Sequence, residues 1–125
     1  MAQNDDIEVT VQPSWLEDHS DPDEEMYAFA YEITVHNHSE EVVKLCSRHW
    51  FITDSDDQTR EVKGQGVIGK QPRIQPGEHY CYSSGVALST PVGSMRGYYV
   101  MQAADDTLFH ADIPAFTLAV PGMLH

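Results

Sequence analysis

No lysine or arginine occurs in the first 25 residues, and all seven bases of the chain fall between Lys44 and Arg96. Against twenty acids this leaves a net charge of −13 over 125 residues. So acidic a chain repels nucleic acid and anionic membranes, which excludes both as partners. No apolar run approaches the roughly 18 residues that a membrane span needs. The opening Met-Ala-Gln-Asn-Asp-Asp is polar and acidic and does not read as a secretory leader. Cysteine is scarce: Cys46 and Cys81 stand alone, without C-x-x-C spacing. The compartment expected is a reducing cytoplasm, with both thiols free and buried as small hydrophobes. A helical period of 3.6 is missing from every window of useful length, which excludes helical bundles and α/β folds.

What is present is alternation. Ile7, Val9 and Val11 share one face, and Glu8, Thr10 and Gln12 the other. Tyr27, Phe29, Tyr31, Ile33 and Val35 alternate with Ala28, Ala30, Glu32, Thr34 and His36, the pattern of a half-buried antiparallel strand. The run 42–53 is rich in β-formers but its parity is uneven, which predicts burial on both faces or a bulge near Arg48. Asp54-Ser55-Asp56-Asp57 turns the chain into a hairpin partner at 59–63. Further strands are expected near 79–84, at 96–103, at 108–113 and around Phe116, Leu118 and Val120. The acidic stretch 17–25 reads as a mobile loop. Seven to eight short strands separated by turn residues predict one all-β domain over residues 1–125. Its class is an antiparallel β-sandwich of the immunoglobulin or fibronectin type III kind.

Gly64-Gln65-Gly66-Val67-Ile68-Gly69 has the G-x-G-x-x-G spacing of a dinucleotide fingerprint. That fingerprint works only where a helix follows, and Pro72, Pro76 and Gly77 forbid one here. Two readings remain. The glycines mark a bulge or bend at a sandwich edge. Alternatively, with Lys63, Lys70 and Arg73 beside them, Gly64, Gly66 and Gly69 turn backbone N–H groups inward around a phosphate or pyrophosphate. Arg48 and Arg96 could add planar forks for the same anion or for a carboxylate of a protein partner. Trp50 is expected in the core, and His49 as a hydrogen-bonded structural residue.

Other chemistry is thinner. His36 and His38 share a strand face and could share a cation, but no third ligand is fixed, so no metal site is assigned. His79, Ser83, Ser84 and Asp112 lack any nucleophile signature, so neither catalysis nor a cofactor is expected. Tyr80, Tyr82, Tyr98 and Tyr99 are expected to leave an exposed aromatic patch suited to an interface, because adjacent tyrosines cannot both face the core. Open edge strands offer a route to a homodimer.

Several motifs together resemble one family. They are Ser47-Arg48-His49-Trp50-Phe51-Ile52-Thr53-Asp54, Glu61-Val62-Lys63 running on through the glycines to Lys70-Gln71-Pro72, and Pro76-Gly77-Glu78. Tyr82-Ser83-Ser84-Gly85, Thr90 through Gly97 and Ile113-Pro114-Ala115-Phe116 follow in order. This series resembles the ApaG family. The resemblance implies a fibronectin type III-like sandwich, which agrees with the strand pattern. It also implies a link to cobalt resistance and magnesium efflux in bacteria. Related domains in eukaryotic F-box and polymerase-interacting proteins imply an interaction module. The function expected is a non-enzymatic binding module for a protein partner or a phosphate-bearing ligand. The alternative is a cytosolic accessory of cobalt or magnesium homeostasis acting through a separate carrier.

Overall fold

A computed structural model describes residues 2–123. The strands are β1 (Ile7–Trp15), β2 (Tyr27–Asn37), β3 (Val43–Asp54), β4 (Thr59–Gln65), β5 (Arg73–Ile74), β6 (His79–Leu88), β7 (Val92–Gln102) and β8 (Leu108–Ala119). They form two antiparallel sheets, β1-β2-β6 and β4-β3-β7-β8, with β5 also paired to β3. The all-β sandwich expected from alternation is the fold. Phe29, Tyr31, Ile33 and Val35, the predicted inner face of β2, are all buried. Tyr31 and Phe116 both pack edge-on against Trp50, which is buried as expected.

Three departures have physical causes. The uneven parity of β3 comes from a bulge at Cys46: Leu45 pairs with Met101 and Ser47 with Val100, leaving Cys46 unopposed. Leu45 therefore faces inward on odd numbering and Trp50 and Ile52 on even. Second, the two strands expected after residue 107 are one. β8 runs through Pro114 because it is the sheet's last strand and bulges there, with Pro114 and Ala115 together opposite Arg96. Third, neither cysteine is a core residue: Cys46 is half-buried at the bulge and Cys81 is exposed on β6. The acidic stretch 17–25 holds two 3-10 turns, Glu17–His19 and Pro22–Glu24. Ser20 Oγ ties it down, donating to Leu16 O (2.7 Å) and accepting from Ala28 N–H (2.8 Å). Among the described residues no helix is long and apolar enough to cross a membrane.

Of the four tyrosines expected as a patch, Tyr82 and Tyr99 are buried and joined hydroxyl to hydroxyl, and Tyr80 packs against the core. Only Tyr98 lies on the outer face. Burial pushes the Tyr31, Tyr82 and Tyr99 phenols above their ordinary value of 10. The folded state holds these protons more tightly, so their contribution is complete below pH 10 and is lost as pH rises beyond it. The urea midpoint is expected to be flat between neutrality and the ordinary tyrosine range, then to fall. A midpoint that stays level through that rise would mean the phenols ionise without unfolding.

Candidate functional site

The glycine segment is a lateral excursion between two strands that both pair with β3. β4 covers β3 from Thr53 to Ser47, and β5 covers Lys44 and Val43. Residues 66–72 bridge the gap, directly beside the Cys46 bulge. The bulge swings the Cys46 carbonyl outward, where it accepts from Gly66 N–H (2.7 Å) and from Gln71 Nε2 (2.9 Å). Val67 and Lys70 then exchange both backbone hydrogen bonds, N–H to O at 2.8 and 3.0 Å. The central pair Ile68 and Gly69 have φ of 49° and 74°, the signs of a type I′ turn. Gly66 is obligatory: its φ is 60°, and a Cβ there would lie 2.1 Å from Lys70 O.

Ile68 is a β-branched residue in the left-handed region, and its side chain is exposed. Such strain costs on the order of 1–3 kcal/mol and gathers at ligand clamps and switches. Ile68→Gly is therefore expected to stabilise the protein by about 1 kcal/mol despite the added chain entropy. Thermal denaturation reads this; a lower Tm would show that Ile68 makes contacts worth more than the strain.

Arg48 sits under the excursion. Its register partner on β7 is the buried Tyr99, so it points into the sandwich. Arg48 Nη1 donates to Gln65 O (3.1 Å) and to Gly66 O (2.8 Å). The guanidinium lies flat against Gly64, where a Cβ would come within 2.6 Å of it. These bonds take one of its nitrogens, and three of its five N–H donors remain. Beside it is a cavity of about 130 Å³ lined by Tyr31, Arg48, Val67, Ile68, Gly69, Tyr82 and Ser84. Ser84 stands opposite Tyr31 across β2 and β6 and lines the cavity with it. One permanent cation and several hydroxyl groups thus meet at a small concavity roofed by the type I′ turn. At the crown of that turn, the Ile68 and Gly69 N–H groups have no protein acceptor among the described residues.

The eight residues expected to bind an anion divide. Arg48, Gly64, Gly66 and Gly69 come together. Lys63 pairs with His49 on the outer face of the sheet, and its Nζ lies 4.0 Å from Glu61. Arg96 pairs with Phe51 on that same outer face and lies 4.5 Å over its ring. Arg48 and Arg96 therefore occupy opposite faces and form no common fork. Lys70 and Arg73 are exposed at the far end of the excursion. Sequence reasoning missed Tyr31, Tyr82 and Ser84 as site residues. They belong to the other sheet, and alternation within a strand does not say which strand faces it.

His49 is satisfied as expected: its Nδ1 lies 2.8 Å from the Tyr98 hydroxyl and its Nε2 3.0 Å from Glu61 Oε2. His36 stacks on His38 with ring centroids 5.7 Å apart, and His38 Nε2 bonds Glu8 at 2.9 Å. Among the described residues no three His, Cys, Asp or Glu side chains are placed to hold one metal ion. Asp112 bonds Asn4 and stands on the five-stranded sheet, whereas His79 and Ser83 are on β6 of the other sheet. The residues do not assemble a triad.

The ApaG domain family matches residues 17–103. Protein ApaG of Pseudomonas putida is 53% identical over 119 residues, spanning 95% of this chain and 94% of that protein. Protein ApaG of Thiobacillus denitrificans is 52% identical over the same shares of both chains. The crystal structure of the putative ApaA protein from Bordetella pertussis agrees with this fold at a TM-score of 0.91 and 40% identity, over 94% of this chain and 96% of that one. With the family model covering residues 17–103 and about half of all aligned residues identical to those of ApaG proteins, the chain belongs to the ApaG domain family.

Proposed function

We propose that this protein is a binding module, without catalysis of its own, that takes a phosphoryl group of a phosphate or pyrophosphate ligand into the cavity beneath the glycine turn. The observation that carries this reading is the Arg48 guanidinium, held by two backbone carbonyls and open on its remaining edge to a small cavity with serine and tyrosine hydroxyls. A guanidinium fork matches phosphate oxygens, and charge-assisted bonds to a partly buried anion are about twice as strong as neutral ones. The raised phenol pKa values keep the tyrosines as donors throughout the neutral range. A cavity of about 130 Å³ holds one phosphoryl group and leaves the rest of a larger ligand outside, toward Lys70 and Gly69. Selectivity then lies with the phosphate and not with a base or sugar.

The test is an amide NMR titration with inorganic phosphate and with pyrophosphate at fixed ionic strength. Saturable shifts confined to residues 66–70, Arg48 and Ser84 are expected. Shifts that track Lys63 and Arg96 instead, or none that saturate, reject the site.

A further inference from the structure

β4 ends the five-stranded sheet, paired to β3 on one side and, among the described residues, to no strand on the other. It is one of the molecule's open edges. Its seven residues pair with β3 without interruption from Gln65 to Thr59, with no bulge and no proline, and six of the seven are exposed. Two of the other edges are blunted, and the third, the regular strand β6, is engaged at one end. β8 carries Pro114 and a bulge, β1 carries Pro13 and lies alongside β8, and the end of β6 is capped where Arg60 Nη2 donates to Ala87 O at 2.6 Å. A regular unpaired strand is a template for one more strand.

Charge states which strand it would take. Residues 59–75 hold Arg60, Lys63, Lys70 and Arg73 against the single acid Glu61, while the whole chain carries −13. The segment that forms this sheet edge is thus net basic in an acidic protein, with Asp54, Asp56 and Asp57 just before it in the chain. Beside the start of β4 a groove of about 460 Å³ is lined by Ile52, Ala87 and Leu88 together with Arg60, Glu25 and Asp54. Val62, on the inner row opposite Trp50, is 38% exposed and gives an apolar anchor.

We propose that the partner surface of this protein is the β4 edge, and that it takes an acidic, extended peptide segment of another protein as an added antiparallel or parallel strand. Main-chain hydrogen bonds to β4 supply affinity, and cross-strand pairs supply selectivity. Side-chain alternation sets the motif. An acidic residue opposite Arg60, an apolar one opposite Val62 and an acidic one opposite Lys63 are favoured, and an acid opposite Glu61 is not. This surface is separate from the Arg48 cavity and does not depend on phosphate binding.

The probe is a capped peptide of about twelve residues, long enough to cover β4, whose central Glu-Val-Thr-Glu in antiparallel pairing sets Glu opposite Lys63 and Arg60, Val opposite Val62 and Thr opposite Glu61. It is titrated into the full chain by amide NMR, with hydrogen exchange on the complex. Shifts centred on residues 59–65 and slower exchange of the outward β4 amides are expected. Lys63→Glu is expected to weaken binding about tenfold, since the charge lies on the exposed face and folding is not at stake. A version of the peptide with proline at alternate positions keeps the charge but cannot pair, and it is expected not to bind. Equal binding of that proline peptide, or shifts centred outside β4, overturns the proposal. So does a dimer of this chain that buries β4 without peptide. Ser84→Ala, which alters the cavity alone, leaves peptide binding unchanged, so a failure of the phosphate reading is read separately.

Discussion

Asn37→Ala is expected to destabilise the protein by about 3–4 kcal/mol, from several polar groups stranded at about 1–3 kcal/mol each and partly rewetted. Asn37 is fully buried at the end of β2 and uses its whole amide. Its Nδ2 donates to Glu41 O (2.8 Å) and to Ile74 O (2.9 Å). Its Oδ1 accepts from Ser39 N–H (2.9 Å) and from Ser39 Oγ (2.7 Å). Its main chain is engaged too, accepting from Gly77 N–H and donating to Glu78 O. One side chain thus ties the turn after β2, the start of β3 and the short strand β5 together. β5 is only two residues long and has little else to hold it. Chemical denaturation measures the global loss, and hydrogen exchange is expected to report earlier opening at residues 73–78. Asn37→Asp should be no better at neutral pH, because a carboxylate would face two carbonyl oxygens without a proton to give. A loss under about 1 kcal/mol for Asn37→Ala, the range of surface changes, would mean that water takes the place of the amide.

Arg48→Met should separate the two duties of the guanidinium. Binding of phosphate is expected to weaken about 10- to 100-fold, the value of a lost charge-assisted hydrogen bond of about 1.5–3 kcal/mol. Stability should fall by about 2 kcal/mol, because the Gln65 and Gly66 carbonyls lose their donor. Ser84→Ala gives the companion result: weaker binding with stability nearly unchanged, since Ser84 lines the cavity and holds neither turn carbonyl. Lys63→Ala serves as the control, because Lys63 lies on the opposite face of the sheet. If Lys63→Ala weakens binding as much as Arg48→Met, the ligand sits on the outer face and the cavity is only a packing gap.

The sandwich was legible because each strand must bury one face, and period-two alternation records that burial directly. Phe29 through Val35 show it, each where alternation puts it. Breaks in the pattern were harder. A proline at 114 reads as a strand end, yet an edge strand has no neighbour to supply on that side, so the chain passes through. At the site, the glycines announced a tight backbone and Arg48 announced charge. What spacing could not reveal was sidedness across the Cys46 bulge, and this is why Arg48 and Arg96 seemed equally available. Nor could it reveal that Tyr31 and Ser84 complete the cavity, since that depends on how one sheet is laid over the other.

The Cys46 bulge makes β3 a strand read in two frames. Before it, odd numbers belong to the interior; after it, even numbers do. Removing one residue there would merge the frames and turn every later side chain over. His49 and Phe51 would enter the core, Trp50 would meet water, and Arg48 would leave the cavity for the outer face. The carbonyl that receives Gly66 and Gln71 would vanish in the same step. Chain length at this point is therefore a stricter requirement than side-chain identity: position 46 should accept many residues in place of cysteine, and no deletion.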